Sequence, residues 1–144
     1  MKIHELLAEA AYRFTASDVK RLWREINHTC FNGDLTEPPI YLEQDLNHLV
    51  PKAYADKFGG GDALGYCDED PESKEIVLLI STKVESPREL MEVVGHEMVH
   101  QALAEKHGYV GMLKVGHGAE FMSYAPAIKK YYNMTLLGAS YEIK

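Results

Sequence analysis

The chain has 144 residues, a formal net charge of −7 at pH 7, 46% hydrophobic residues and 26% charged residues. This length supports one domain with one core, residues 1–144, and the acidic balance excludes a general nucleic-acid-binding surface, because phosphate contacts require clustered Lys and Arg. The two cysteines, Cys30 and Cys67, are far apart and exclude a disulfide framework or a zinc ribbon. No secretory signal and no membrane-spanning apolar run is visible, so we expect a soluble, cytoplasmic protein with no membrane partner.

The first part of the sequence predicts two helices. A short helix is expected over residues 4–14, and Thr15 or Ser17 can cap a second, clearer one. Asn32-Gly33 is expected to end this second helix, because glycine tolerates a left-handed turn. Its apolar residues recur at helical spacing, namely Val19, Leu22, Trp23, Ile26, Cys30 and Phe31.

The middle of the sequence predicts extended segments. Residues 40–43 follow two prolines and are expected to be extended, while the glycine run 59–61 is expected to form a flexible loop, with a lid over a cleft as the alternative. Two strand-like runs, residues 63–67 and 75–81, flank the turn-forming residues 70–73. This pattern predicts a β-hairpin.

A buried helix is expected over residues 86–106. Ser86 can cap it, and Glu89 completes a capping box. Its apolar residues cover nearly every side, which is typical of a helix in the centre of a domain. His107-Gly108 is expected to close it, and a loop over residues 108–116 then leads to a last helix from residue 117 or 118 to 133.

The central feature of this helix is the pattern H-E-x-x-H at residues 96–100. His96 and His100 are four residues apart, a little over one helical turn, so both imidazoles leave the same face and can bind one metal ion. Glu97 projects beside them and is the candidate general base. The arrangement is typical of the zinc site of a metallopeptidase.

A catalytic zinc requires a third protein ligand. The main candidate is His117, 17 residues after His100, because the flanking Gly116 and Gly118 allow the backbone to approach a metal closely. Glu120 is the alternative ligand, or a residue that supports the ligands or caps the helix. His107 is one residue out of register for the metzincin spacing and is expected to interact with the carbonyls at the helix end.

With these segments in hand, the chain resembles the SprT-like (Spartan-type) zinc metallopeptidases over about residues 15–132. The most specific match is His117-Gly118-x-Glu120-Phe121 following the H-E-x-x-H pattern. The other matching segments are residues 31–35, 63–67, 76–81 and 87–90.

The resemblance implies an α+β, zincin-like single domain with a small, mostly antiparallel sheet beside the active-site helix. It implies one catalytic Zn²⁺ held by His96, His100 and His117, with Glu97 as general base for peptide-bond hydrolysis. Substrates would be proteins or peptides, including DNA-associated or DNA-crosslinked proteins. Since the chain is acidic and shows no zinc ribbon or basic region, we expect a stand-alone core whose association with DNA is indirect, through a partner.

Two details of the mechanism remain open at this level. An extended substrate is expected to pair with the strand at residues 63–67, and Tyr66, Tyr109 and Tyr124 are equal candidates for a residue that stabilises the oxyanion. The alternative function is a zinc-containing binding or inhibitory module with little turnover, such as an anti-restriction or host-takeover factor. A purely structural zinc is the third interpretation, although such sites usually have four protein ligands.

Overall fold

The computed structural model describes residues 12–46 and 64–132. Helix α1 spans Ala16–Cys30, strand β1 Ile40–Glu43, strand β2 Gly65–Glu69 and strand β3 Ile76–Ser81. Helix α2 spans Pro87–Val115, followed by α3, Ala119–Met122, and α4, Ala125–Tyr132. The described part is therefore α+β, as predicted. The expected helix over residues 4–14 falls mostly outside the described residues, and the glycine run 59–61 and the tail from residue 134 lie wholly outside them.

Helix α1 begins and ends where its sequence predicts. Thr15, rather than Ser17, is the cap, and it forms a reciprocal capping box with Asp18. The helix ends at Phe31, and the next two residues, Asn32 and Gly33, have positive φ angles of 54° and 74°. This left-handed turn reverses the chain toward β1.

The three described strands form a mixed sheet in the order β1-β3-β2. Strands β2 and β3 are antiparallel, with Gly65 opposite Ile80 and Glu69 opposite Ile76, which confirms the predicted hairpin. Strand β1 is parallel to β3. The expectation of a mostly antiparallel sheet was therefore wrong for one of the two pairings, because alternation within a strand carries no information about the direction of its neighbour.

Helix α2 is the centre of the fold. It contacts β2 and β3 on one side and α1 and α3 on others, so that its residues from Leu90 to Ala104 are largely buried. Ser86 caps its first turn by accepting a hydrogen bond from the Glu89 N–H at 3.0 Å, and the Glu89 carboxylate accepts one from the Glu85 N–H. The predicted buried helix is confirmed.

The end of α2 differs from the prediction. The chain kinks at Gly108, which has φ 80° and ψ 165°, and residues 109–115 then continue as helix rather than as the expected loop. Met112 is buried on this second segment and Tyr109 and Val115 pack against the core, so apolar contacts stabilise a helix that the glycines argue against. The expected last helix is likewise two helices, α3 and α4, separated by residues 123 and 124.

No helix within residues 12–46 and 64–132 combines the length and the apolar character needed to cross a bilayer.

Candidate metal centre

Two of the three histidines of the site lie on the buried part of α2. His96 and His100 are separated by one helical turn and present their rings on the same face, with ring centroids 4.9 Å apart. His96 is only 7% exposed. Both imidazoles are therefore held by a helix that the surrounding core fixes in position.

The third histidine reaches the site from beyond the end of α2. Gly116, with φ 55°, ends the helix, and His117 then lies over the same face of α2. The three Nε2 atoms converge: His96 to His100 is 3.3 Å, His100 to His117 is 2.9 Å and His96 to His117 is 3.0 Å. Three histidines are thus close enough to bind one metal ion.

The protonation state of the cluster suits metal binding. Burial, and then the neighbouring His100 and His117, hold the pKa of His96 well below its usual value. Burial lowers the pKa of His100 to about 3 and that of His117 to about 4, with His117 adding to the shift at His100. The rings are therefore neutral at physiological pH, which is the form that coordinates a metal.

The convergence of the three imidazoles leaves the cluster without a complete set of hydrogen bonds. Three converging ring nitrogens at about 3 Å cannot all donate and accept among themselves. In the described part of the chain, the buried Nδ1 atoms of His96 and His100 have no hydrogen-bond partner. A metal ion bound by the three Nε2 atoms would use the lone pairs of these converging nitrogens. The donor set therefore fits a metal.

Glu97 is brought to the edge of this cluster. Its Oε2 lies 4.0 Å from His96 Nε2, and its side chain is almost completely buried. Burial raises the pKa of Glu97 to about 8. A buried carboxyl group of this kind beside a metal-ligand cluster is a candidate proton acceptor and donor.

Strand β2 approaches Glu97 at Gly65, which sequence reasoning treated only as part of a strand. A β-carbon at residue 65 would lie 2.8 Å from Glu97 Cγ and 2.8 Å from Val93 Cγ1. Such separations are too short for real side chains, so glycine is required for the backbone to lie here. A glycine inside a strand pattern is a recognised signal of close approach, and it could have identified this position.

The three candidate tyrosines fall into two places: Tyr66 and Tyr109 lie together, and Tyr124 lies elsewhere. Tyr109 donates a hydrogen bond to Asp68 Oδ1 at 3.2 Å and is also hydrogen-bonded to Tyr66. Burial chiefly raises the pKa of Tyr66, with a smaller contribution from the Glu97 charge. Tyr124 packs instead on the ring of Phe31.

Glu120 and His107 lie outside the cluster of the three converging Nε2 atoms. Glu120 Oε2 is 2.7 Å from His107 Nε2 and 3.1 Å from Lys106 Nζ. The alternative in which Glu120 is the third ligand is therefore not the arrangement seen. The expectation that His107 interacts with the carbonyls at a helix end was wrong, since α2 continues past it and its ring contacts Glu120. Together these two pairs link α3 to α2 beside His117.

Phe121 is a second residue whose place sequence reasoning did not anticipate. It is completely buried, and its ring contacts all three imidazoles, with centroid distances of 5.0 Å to His96, 4.7 Å to His100 and 4.6 Å to His117. Helical periodicity alone marks it only as a core residue, and no spacing rule points to this contact.

No protein-family model, no curated protein and no solved structure matches this chain. The functional assignment therefore depends on the geometry of the site and on the motifs in the sequence.

Proposed function

We propose that the chain is a zinc-dependent endopeptidase with a zincin-like domain, related to the SprT-like metallopeptidases that its motifs resemble. The observation that carries the proposal is the buried Glu97 carboxylate, 4.0 Å from the nearest of three converging imidazole nitrogens. A structural metal site does not require an ionisable group beside its ligands. A hydrolytic site requires one, because the attacking water must lose a proton.

Zinc is the metal that the donor set favours. Ligands about 2.0–2.1 Å from zinc at tetrahedral angles are about 3.3 Å apart. The three nitrogens here are separated by 2.9 to 3.3 Å, a spacing that small ring movements adjust. Three neutral histidines would also leave one coordination position of a bound zinc open, as in catalytic rather than structural zinc sites.

The chemistry assigned to the protein is proton transfer at Glu97. When bound, the ion would supply Lewis acidity, which makes water a stronger acid and polarises a carbonyl oxygen. Glu97 Oε2 accepts the proton as water attacks the scissile carbonyl, and it returns the proton to the leaving amine. The pKa of about 8 belongs to a carboxyl group with no cation beside it. A dication on the three imidazoles favours the ionised form that accepts a proton.

The substrate position is inferred from β2. Among the described strands β2 lies at one edge of the sheet, and its backbone touches Glu97 at Gly65. An extended peptide that paired with this edge would bring its carbonyl groups past the site. Tyr66 lies on β2 itself, and Tyr109 donates a hydrogen bond to Asp68 of the same strand. Both are then better placed than Tyr124 to stabilise an oxyanion. A Gly65→Pro protein with normal cleavage and substrate affinity would count against this placement.

The experiment compares the wild type with Glu97→Gln, which keeps the shape of the side chain and removes its basicity. Zinc content and cleavage of a panel of unfolded and folded proteins are measured for both, with and without single-stranded DNA. We expect about one zinc per chain in each protein and cleavage by the wild type alone. Cleavage that increases when DNA is present would favour DNA-associated proteins as the substrates.

Equal zinc content without cleavage by either protein would contradict the peptidase assignment. It would favour the alternative of a zinc-containing binding or inhibitory module. Cleavage by both proteins would show that Glu97 is not the base.

A further inference from the structure

Two imidazoles of this site, those of His96 and His100, lack the usual hydrogen bond at Nδ1 within the described part of the chain. Histidines that bind metals usually donate their second ring N–H to a carboxylate, a carbonyl or a water, and this hydrogen bond fixes the ring. In the described part of the chain, the Nδ1 atoms of His96 and His100 have no such partner, although both are buried. No hydrogen bond at Nδ1 from the described residues therefore sets the rotation of these two rings.

One aromatic ring, that of Phe121, packs against all three imidazoles instead. The Phe121 ring lies within 4.6 to 5.0 Å of all three imidazole centroids. Its plane is inclined by 59° to His96, 42° to His100 and 84° to His117. Tilted and edge-on contacts are the favoured geometries for aromatic rings at this distance, and each one opposes rotation of the imidazole that it touches.

Phe121 is itself held firmly. It is completely buried within the core cluster, and it lies on the short helix α3. The preceding residue, Glu120, is bound to Lys106 and His107 on α2. These partly exposed pairs add a modest contact between α3 and α2, and burial in the core holds the Phe121 ring in place.

We propose that Phe121 is the positioning residue of the metal centre, which orients His96, His100 and His117 together by ring packing. The inference rests on the metal centre of the proposed function and not on hydrolysis. A flexible or smaller side chain at residue 121 frees the imidazoles to rotate. The three Nε2 atoms then no longer converge before the metal binds, and the cost of ordering them weakens binding.

The test measures zinc affinity by competition with a chromophoric chelator. It also records the visible spectrum of the Co²⁺-substituted protein, which reports the ligand geometry. Phe121→Leu is the main variant, and Phe121→Met, which fills more of the space without a rigid ring, is the second. We expect zinc affinity to fall roughly 10- to 100-fold in both, the range known for residues that support metal ligands, with an altered Co²⁺ spectrum.

Phe31→Leu is the matched control. Phe31 is also buried, at 6% exposure, and its ring packs on Tyr124 at 5.7 Å rather than on the histidines. We expect a comparable loss of stability in this variant, with zinc affinity and the Co²⁺ spectrum unchanged. If Phe121→Leu does not fold, Phe121→Met provides the comparison, because a nearly volume-conserving replacement is better tolerated.

Two results would overturn the inference: unchanged zinc affinity in a folded Phe121 variant, or an equal loss in Phe31→Leu, which would indicate general loosening of the core. Tight zinc binding by the wild type without any cleavage would overturn the proposed peptidase function and leave this inference standing. A wild type that binds no zinc would overturn both.

Discussion

The backbone of Gly65 lies directly against the side chain of Glu97. A β-carbon at residue 65 would be 2.8 Å from Glu97 Cγ and 2.9 Å from Glu97 Oε2. The edge of the sheet and the candidate base are therefore in contact through a residue that has no side chain. This contact keeps Glu97 buried and limits the positions that its carboxylate can occupy.

The first prediction concerns this contact. In Gly65→Ala the new methyl group must displace the Glu97 side chain or separate β2 from α2. We expect cleavage to fall about 100-fold, as for a catalytic group moved by about 1 Å. Zinc content should remain near that of the wild type, because the three atoms nearest to a β-carbon at residue 65 belong to Glu97 and Val93 and not to a histidine. Activity and metal content measured on the same preparation test this, and full activity would show that Glu97 has room to adjust.

Metal removal should destabilise the fold. The metal would bind the folded chain through residues from α2 and from the segment after it, whereas the unfolded chain does not bring these residues together. At a free metal concentration 100 times the dissociation constant, binding stabilises the folded state by about 2.7 kcal/mol. We therefore expect EDTA to lower the melting temperature by roughly 5–10 °C.

Two histidine variants provide the controls for metal removal. His117→Ala lacks one ligand and should show little response to EDTA. His28→Ala removes an exposed histidine on α1 and should respond as the wild type does. A melting temperature of the wild type that does not change with EDTA would contradict the metal site.

The clustering of the three histidines could be predicted from the sequence because its geometry is mostly local. His96, Glu97 and His100 lie within five residues of one helix, so helical periodicity alone places them together. His117 required a longer inference, yet its flanking glycines and its distance along the chain were informative. The contacts of Gly65 with Glu97 and of Phe121 with the rings join residues whose meeting depends on packing, and no periodic pattern records them.

The errors of prediction have physical causes as well. Gly108 and Gly111 suggested a loop. Gly108 does interrupt the helix, but residues 109–115 are helical because burial of Met112 outweighs the modest helix penalty of Gly111. The parallel pairing of β1 with β3 depends on how distant segments of the chain are arranged. Alternation within either strand carries no information about that arrangement.

The kink in α2 provides a third prediction. Gly108 has φ 80° and ψ 165°, a region that is essentially limited to glycine. Gly108→Ala should cost about 1–3 kcal/mol of stability. It should also weaken zinc binding, because the segment beyond the kink leads to His117. Denaturant unfolding and chelator competition measure the two effects.

Gly33→Ala is the matched variant for the kink. Gly33 also has a positive φ, 74°, and at both glycines a β-carbon would meet no atom within 4 Å. The two substitutions therefore differ in position rather than in crowding. Gly33→Ala should lower stability and leave zinc affinity unchanged; equal affinities in both variants would show that the kink does not position His117.

A buried polar network connects α1 to α2. The fourth prediction concerns its removal. The indole N–H of Trp23 donates to Gln101 Oε1 at 3.0 Å, and Gln101 Nε2 donates to the Thr36 carbonyl at 2.6 Å. Gln101→Leu leaves the buried Trp23 N–H without its acceptor, whereas Thr36 is exposed and its carbonyl can bond to water. The loss should therefore be about 1–3 kcal/mol. Urea unfolding followed by the fluorescence of Trp23, the single tryptophan, measures this loss. The exposed Gln44→Leu should change stability by less than about 0.5 kcal/mol.

The last prediction concerns the thiols. Burial raises the pKa of Cys30 to about 11 and also raises that of Cys67. Since the thiolate is the reactive form, iodoacetamide at pH 8 should modify Cys30 of the folded protein roughly tenfold or more slowly than a free cysteine. Mass spectrometry over pH 7–10 should show the rate rising through this range.

The direction in which stability changes with pH follows from the same raised pKa of Cys30. An unfolded cysteine ionises near pH 8.5, whereas folded Cys30 ionises near 11. The contribution of the buried thiol is therefore complete below about pH 8.5 and is lost as the pH rises toward 11, because only the unfolded chain releases its proton in that interval. Cys30→Ala should flatten this alkaline decrease in the free energy of unfolding. An identical decrease in the variant would assign it to other groups.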